Sequence, residues 1–346
     1  MKVAVRITLM IVGFAIAGFV LWRAFDDFDL AAVGRSIGAM TWVDVVRLVG
    51  AFVVLLVAEA FLGAAFIPGL TLRHGALSWL ASNAIASVVP GPSDVPLRYR
   101  MFRSWGLEPA DAATASAGAT LINVASKLVV PVFAGLAIWI GDVHVGGVRN
   151  LIVTAGAVSA AVVVVVGFAF GSEQRTAAGA GLLARLVRRP KWAGGIVRYR
   201  NSAATLLRRT WHRALIGIVL VTVFTVVLFV WSMRAVGVED ANASWLALFS
   251  VWAIVRGLTV LPTMPGDAGV SELAFVSLLN QASDGVSVNT VTAGIVLYRA
   301  ITWILPIPLG FASIALWRWD VRRHRGRVPA HAEPTAGQGP IGTPDV

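Results

Sequence analysis

Two short motifs contain the residues of this sequence that are best suited to bind a polar ligand. Residues 88–94 read VVPGPSD and residues 260–267 read VLPTMPGD, and their aspartates are 173 positions apart. Proline removes a backbone donor, glycine allows close approach, and the resulting helix ends present partial charges. Paired Gly/Pro-interrupted segments in the two halves of a membrane protein indicate a transporter binding site. The alternative is two ordinary tight turns.

Five ionisable residues lie within otherwise apolar stretches: Glu59, Lys127, Arg256, Glu272 and Arg299. Placing a charge at the centre of a membrane helix costs about 2.5–3.5 kcal/mol on insertion scales. We therefore expect these side chains to face the interior of a helix bundle. They either mark a transport pathway or form buried ion pairs that hold the bundle together.

The second half of the chain offers a partner for its central arginine. Arg299 is the only charge in residues 285–317, and Glu272 or Asp267 is its expected partner. Arg256 precedes Pro262 by only six residues, and we expect it to reach the cytoplasmic interface.

The first half offers a similar set. Lys127 is central in an apolar stretch, with Glu59 or Asp94 as its expected partner, and Asn123 lies one turn earlier on the same helix face. Asp94 and Arg98 are four residues apart and share a face if this segment is helical. Arg98 and its neighbouring arginines form a cationic rim suited to a phosphate group, or a plain positively charged loop.

The composition of the chain indicates which class of protein must position these residues. The chain has 346 residues, 57% of them hydrophobic and 14% charged, with a mean hydropathy of +0.78. Soluble globular proteins carry about 25% charged residues, so a soluble enzyme is excluded. Its apolar runs are continuous rather than alternating, which excludes a membrane β-barrel. The chain has no cysteine, and its five histidines lack ligand spacing, so we predict no metal site and no cofactor.

The predicted fold is an all-α polytopic membrane protein with about seven or eight transmembrane helices. Two short segments, 76–89 and 268–281, are predicted to be broken or re-entrant helices, because about 20 residues are needed to span a bilayer. Together with the two motifs they give the chain inverted-repeat-like halves. The predicted spans are 5–23, 45–67, 112–140, 148–170, 214–234, 244–262 and 288–317.

The distribution of positive charge sets the orientation. Residues 171–213 contain ten Lys or Arg and one acid, which predicts a cytoplasmic loop. Within it, residues 182–213 are either an interfacial helix pair interrupted at Gly194–Gly195 or a solvated segment. Both termini are predicted to be cytoplasmic, which requires an additional crossing near residues 268–283. We predict one membrane domain over 1–320 and a basic, then disordered, tail over 321–346. The net charge of +11 is explained by such loops rather than by nucleic-acid binding.

These residues resemble a known family. The PGPSDVPLR run of 90–98, the WGL of 105–107 and the PTMPGDAGVSE run of 262–272 are similar to motifs of the lysylphosphatidylglycerol synthetase transmembrane-region (flippase-like) family. Leu297-Tyr298-Arg299 resembles a further part of it, and the likeness covers about residues 5–320. The sequence departs from the family at Pro92-Ser93-Asp94, where many members have Gly-Asp or Gly-Glu. It departs again at 120–123, where many carry an acidic-basic pair.

The resemblance implies a membrane protein that moves a phospholipid or lipid-linked headgroup between leaflets and is not an enzyme. No aminoacyl-transferase domain follows Arg327, so lysyl-lipid synthesis is not expected of this chain. The alternatives are a non-catalytic membrane partner of a cell-envelope glycolipid synthase and a membrane-embedded lipid-phosphate enzyme. The expected location is a bacterial inner membrane. The predicted lipid-binding residues are Pro90, Asp94, Arg98, Asn123, Lys127, Pro262, Pro265, Gly266, Asp267, Gly269, Glu272 and Arg299.

Overall fold

The computed structural model describes residues 30–65, 70–89, 93–141, 145–186, 191–260, 269–283 and 285–325. Regular structure in these residues is entirely helical. The helices are α1 Leu30–Gly38, α2 Trp42–Ala65, α3 Leu72–Val88, α4 Val95–Ser104, α5 Pro109–Ile140, α6 Arg149–Phe170, α7 Glu173–Leu186, α8 Lys191–Ala235, α9 Trp245–Leu258, α10 Val270–Ala282, α11 Val288–Arg299 and α12 Pro306–Arg325. A 3₁₀ turn (Gly146–Val148) precedes α6, and a π-helical turn (Ala300–Ile304) joins α11 to α12.

Five helical segments of the described residues are long and apolar enough to cross a membrane. They are Trp42–Ala65, Pro109–Ile140, Arg149–Phe170, Thr210–Ala235 and Val288–Arg323. These correspond to five of the seven predicted spans, so a multi-pass membrane protein is confirmed. The predicted span 5–23 lies outside the described residues. The predicted span 244–262 is wrong in length, because α9 ends at Leu258 after 14 residues.

Glycines allow the helices to approach closely. A Cβ atom on Gly75 of α3 would lie 2.0 Å from the Ala60 carbonyl oxygen of α2. One on Gly310 of α12 would lie 2.3 Å from the Leu80 carbonyl oxygen of α3. In a bilayer, helices associate through van der Waals packing rather than a hydrophobic driving force, and small residues let backbones meet. Helix α3 is therefore packed tightly between α2 and α12.

Helices α3 and α4 form a hairpin, which we call hairpin 1 (residues 72–104). Arg73, near the start of α3, forms an ion pair with Asp320, near the end of α12. Ser104, the last residue of α4, accepts a hydrogen bond from Trp317 of α12 at 2.8 Å. His74 also stacks on Trp105, with ring centroids 4.4 Å apart. The start of α3 and the end of α4 therefore meet near the end of α12, and the end of α3 at Val88 and the start of α4 at Val95 lie at the opposite end of the hairpin.

Helices α9 and α10 pack against each other and form hairpin 2 (residues 245–282). Ser244 caps the start of α9, since its Oγ accepts a hydrogen bond from the N–H of Ala247. The other end of α9 lies in the protein interior, because the Thr259 carbonyl accepts a hydrogen bond from Lys127 in the middle of α5. The last residue of α10, Ala282, is followed by a short connection to α11. Thr259 and Gly269, described residues on either side of the break between α9 and α10, are both buried.

The segment predicted as a cytoplasmic loop, residues 171–213, is largely helical. Helix α7 packs against the first part of α8. The predicted interruption at Gly194–Gly195 is wrong, since α8 continues through both glycines into its membrane segment. The helix continues although each glycine costs roughly 1 kcal/mol relative to alanine.

Candidate functional site

A polar cavity of about 370 Å³ lies between the two hairpins and the long helices. Its lining comes from α2, α3, α4, α5, α8, α9, α11 and the π-helical turn, and we call it the central cavity. Its charged lining residues are Glu59, Asp94, Arg98, Lys127, Arg256 and Arg299. Ionisable groups within membrane helices are expensive and mark functional sites by default.

In hairpin 1, Asp94 and Arg98 form an ion pair. The Arg98 Nη2 atom lies 2.6 Å from an oxygen of Asp94, and its Nε donates to Ser82 Oγ of α3 at 3.1 Å. Asp94 precedes α4, and Pro96 occupies the first helical turn, where its missing N–H has no intrahelical partner in any case. The predicted shared face of Asp94 and Arg98 is confirmed. Arg98 also links the two arms of the hairpin.

In hairpin 2, Glu272 binds Arg299 of α11. The Arg299 Nε lies 2.6 Å from one Glu272 oxygen. The other oxygen accepts the N–H of Gly269 at 2.7 Å and the hydroxyl of Ser271 at 3.1 Å. Gly269 has a φ of 85°, a conformation that glycine adopts without strain. Of the two expected partners of Arg299, Glu272 is confirmed, and Asp267 lies outside the described residues. The Glu272 carboxylate also caps the start of α10.

The chain changes its helical repeat directly after Arg299. In the π-helical turn, the N–H of Leu305 donates to the carbonyl of Ala300 at 2.8 Å. Pro306 has no N–H to donate to Thr302, so the regular i→i−4 ladder cannot continue there. Single π turns occur frequently at functional sites. The arginine also lies over the ring of Trp303, at 4.7 Å from the centroid.

Lys127 and Arg256 have partners that the sequence did not indicate. Lys127 donates to the backbone carbonyl of Thr259 at the end of α9. Asp94, one of its two expected partners, binds Arg98 instead. The expectation that Arg256 reaches the cytoplasmic interface stays a prediction. Its side chain lines the central cavity and donates to the Asn123 side-chain oxygen at 3.3 Å.

Glu59 of α2 lies between two cavities. It lines the central cavity and also a smaller one of about 70 Å³, which extends between α2, α3, α4 and α5. Its carboxylate interacts with the Trp79 side chain and with the charges of Arg256 and Arg98. Trp79 and Arg98 line both cavities as well. This carboxylate therefore faces the positive side chains of both hairpins.

Several cavity-lining residues of the two hairpins occupy corresponding positions in the sequence. The offset of 173 that relates the two aspartate motifs also relates the first arms of the hairpins. Outside the hairpins, an offset of 172 relates a central residue of α5 to the last residue of α11. The pairs are Trp79 with Trp252, Asn83 with Arg256, and Lys127 with Arg299. All six residues line the central cavity. The two motifs alone do not indicate this agreement, although the equal spacing of the two tryptophans is a usable signal.

Five of the predicted ligand-binding residues lie outside the described residues: Pro90, Pro262, Pro265, Gly266 and Asp267. Asp94, Arg98, Asn123, Lys127 and Arg299 line the central cavity. Glu272 and Gly269 are connected to it through Arg299. Sequence reasoning did not include Trp79, Asn83, Trp303 or Tyr298 in the site. In the described segments, no group of three or more His, Cys, Asp or Glu side chains could hold a metal ion.

The apolar spans and the charged interior cavity define a multi-pass membrane protein with a buried polar site. The family described as "Lysylphosphatidylglycerol synthase TM region" matches residues 10–310, and the chain belongs to this family. The predicted family is thus confirmed, and with it a role tied to lipid handling in the membrane. A search of curated proteins gave no match.

Proposed function

We propose that this protein moves a phospholipid, or another lipid with a phosphate-linked headgroup, between the leaflets of a bacterial inner membrane, without changing it chemically. The observation that carries this proposal is the central cavity, lined by four basic side chains from α4, α5, α9 and α11. Inside the cavity, these basic side chains would replace the water that hydrates the headgroup. The acyl chains of the same lipid would remain in the surrounding bilayer. Residues of both hairpins would contact it.

The basic residues at 171–213 support an orientation with this segment in the cytoplasm. In this orientation α12 ends in the cytoplasm, so hairpin 1 enters from the cytoplasmic side and hairpin 2 from the opposite side. Arg299 lies eleven residues into its span. At 1.5 Å per residue this is about 16 Å, close to the midplane of a hydrocarbon core about 30 Å thick. Glu272, its ion-pair partner at the start of α10, then lies at a similar depth.

This arrangement gives the two halves opposite orientations. With five described spans, the predicted span 5–23 and two hairpins that do not cross, the chain makes six crossings, and both termini are cytoplasmic. The additional crossing predicted near residues 268–283 is then unnecessary. Inverted halves with broken helices near the midplane are the usual design of secondary transporters. The sequence contains no GxxxxGK[ST] motif, so an ion gradient or the consumption of lipid on one side would drive net movement.

Reconstitution tests this proposal. Purified protein is placed in liposomes that contain a fluorescent phospholipid, and dithionite is added outside. We expect quenching of clearly more than half of the fluorescence with the wild type, and about half with Arg299→Ala or Glu272→Gln. Arg73→Ala is the matched control, because it also removes an arginine from a 2.6 Å ion pair, outside the central cavity. Quenching of one half for every headgroup, including a polyprenyl phosphate, would contradict the proposal.

A further inference from the structure

We infer that the central cavity selects a phosphate-bearing headgroup with a net negative charge over a zwitterionic one. This inference rests on the proposed function and specifies its substrate class. It is drawn from the hydrogen-bonding groups that the cavity walls leave without partners and from the way their carboxylates are already engaged.

The first observation is an excess of hydrogen-bond donors. Three buried polar atoms of cavity-lining residues have no hydrogen-bond partner among the described residues: Arg98 Nη1, Asn83 Nδ2 and Trp303 Nε1. A guanidinium, an amide nitrogen and an indole nitrogen all donate, and none of them accepts. Buried polar groups in proteins are nearly always paired, so unpaired ones need an explanation. A ligand that brings only acceptor oxygens, such as a phosphate diester, would satisfy all three.

The second observation is that Arg256 has neutral partners. Its guanidinium donates to the Asn123 side chain and lies 5.9 Å from the ring centroid of Trp252. Neither partner neutralises its charge. Among the described side chains, the carboxylate that acts on it is that of Glu59, which Arg98 also faces. An arginine with neutral partners in a membrane-buried cavity is well suited to a bidentate bond with a phosphate.

The third observation concerns the carboxylates, which a cationic headgroup would need. Asp94 is bound by Arg98, and Glu272 is bound by Arg299, Gly269 and Ser271. An arginine already balances the charge of each of these carboxylates, so an ammonium group would gain little from either. Glu59 faces two arginines, and Lys127 and Arg299 line the same cavity and would repel an ammonium. A choline or ethanolamine group therefore has no favourable place.

Both hairpins contribute to the donor set in the same way. Asn83 follows Trp79 by four residues in α3, and Arg256 follows Trp252 by four residues in α9. Each donor therefore lies one helical turn beyond a tryptophan, on the same face. A phosphate in the central cavity would be approached by the neutral donor Asn83 of hairpin 1 and by the cation Arg256 of hairpin 2.

The test compares lipids whose headgroups differ in charge, in the same translocation assay. Wild-type protein is reconstituted in phosphatidylcholine liposomes with fluorescent phosphatidylglycerol, phosphatidylethanolamine or phosphatidylcholine. We expect translocation of phosphatidylglycerol to be at least about tenfold faster than that of the other two. Arg256→Gln and Asn83→Asp should each lower the phosphatidylglycerol rate and reduce this ratio severalfold, whereas Arg73→Gln should leave the ratio unchanged. Equal rates for the three lipids would overturn the inference and leave the proposed function standing.

A binding measurement separates the two proposals if nothing is translocated. The protein is released from mixed-lipid nanodiscs, and the lipids that remain bound are counted by native mass spectrometry. Retention of phosphatidylglycerol that Arg256→Gln abolishes would support the inference while the transport proposal fails. Retention without headgroup preference would overturn it. Inorganic phosphate and glycerophosphoglycerol, added as competitors, distinguish a site for the lipid from one for a free phosphate: displacement of the lipid at millimolar inorganic phosphate would overturn the lipid assignment.

Discussion

The two hairpins differ in how their arginines are held. In hairpin 1 the ion pair is local, since Asp94 and Arg98 are four residues apart at the start of one helix. In hairpin 2 the ion pair joins two elements, since Glu272 begins α10 and Arg299 ends α11. Hairpin 1 therefore keeps its ion pair wherever it moves, whereas hairpin 2 depends on α11 for its position.

The two hairpins also differ in how their helices pack against the rest of the protein. Helix α3 of hairpin 1 contacts α2 and α12 through glycines whose replacement would bring a side chain into the neighbouring backbone. Hairpin 2 is surrounded by large side chains, with Phe229 and Phe275 stacked at 4.9 Å and Tyr298 meeting Phe229 edge-on. Close backbone packing at glycines positions hairpin 1. The Glu272–Arg299 ion pair and aromatic packing position hairpin 2. The predictions below test this difference.

The largest effect is expected where the link between hairpin 2 and α11 is broken. Arg299→Met leaves the carboxylate of Glu272 buried without its cation, and breaking a buried pair in this way costs about 3–5 kcal/mol. We expect this loss in the free energy of unfolding, measured in mixed micelles with increasing sodium dodecyl sulfate. The double variant Arg299→Met/Glu272→Gln should recover at least half of it. If the double variant is as unstable as the single one, the ion pair does not hold hairpin 2.

A smaller effect is expected where shape holds hairpin 1. In Gly75→Leu the new side chain meets the backbone of Ala60, and overpacking typically costs about 1–3 kcal/mol. We expect a loss near the upper end of this range, since backbone atoms cannot move aside as a side chain can. Gly167→Leu is the control, because a Cβ atom at this exposed position has nothing within 4 Å. The same measurement applies, and equal losses in both variants would show that glycine contacts are unimportant here.

Much of this architecture followed from the sequence, and the exceptions have physical causes. Apolar length alone located α2, α5 and α6, because the bilayer requires about 20 apolar residues per span. The Glu272–Arg299 pair followed from the cost of burying a lone charge. The hydrogen bond between Arg256 and Asn123 did not follow, because these residues are 133 positions apart and no short motif relates them. Hydropathy also could not distinguish the 14-residue helix α9, which is one arm of hairpin 2, from a helix that crosses the whole membrane.

The next prediction concerns the charge that faces both hairpins. Glu59→Gln removes a negative charge that would repel an anionic headgroup in the central cavity. At roughly 10 Å and an effective dielectric constant of about 20, two charges interact by about 1–2 kcal/mol. Retention of phosphatidylglycerol should therefore rise by about tenfold, and its translocation should slow if release becomes limiting. Glu108→Gln, at the start of α5 and outside the central cavity, is the control. Weaker retention in Glu59→Gln would contradict the anion selectivity that we infer.

The smallest effect is expected for the ion pair at the open end of hairpin 1. Arg73 and Asp320 are separated by 2.6 Å, the same distance as Arg299 and Glu272. Distance does not decide the contribution, because the Arg73 side chain is 65% exposed and that of Arg299 only 16%. Exposed pairs contribute about 0–1 kcal/mol, since water and salt screen them. Arg73→Ala should change the unfolding free energy by no more than this, and the change should vanish at high salt. A loss as large as that of Arg299→Met would mean that contact geometry, and not burial between two helices, determines how firmly each hairpin is held.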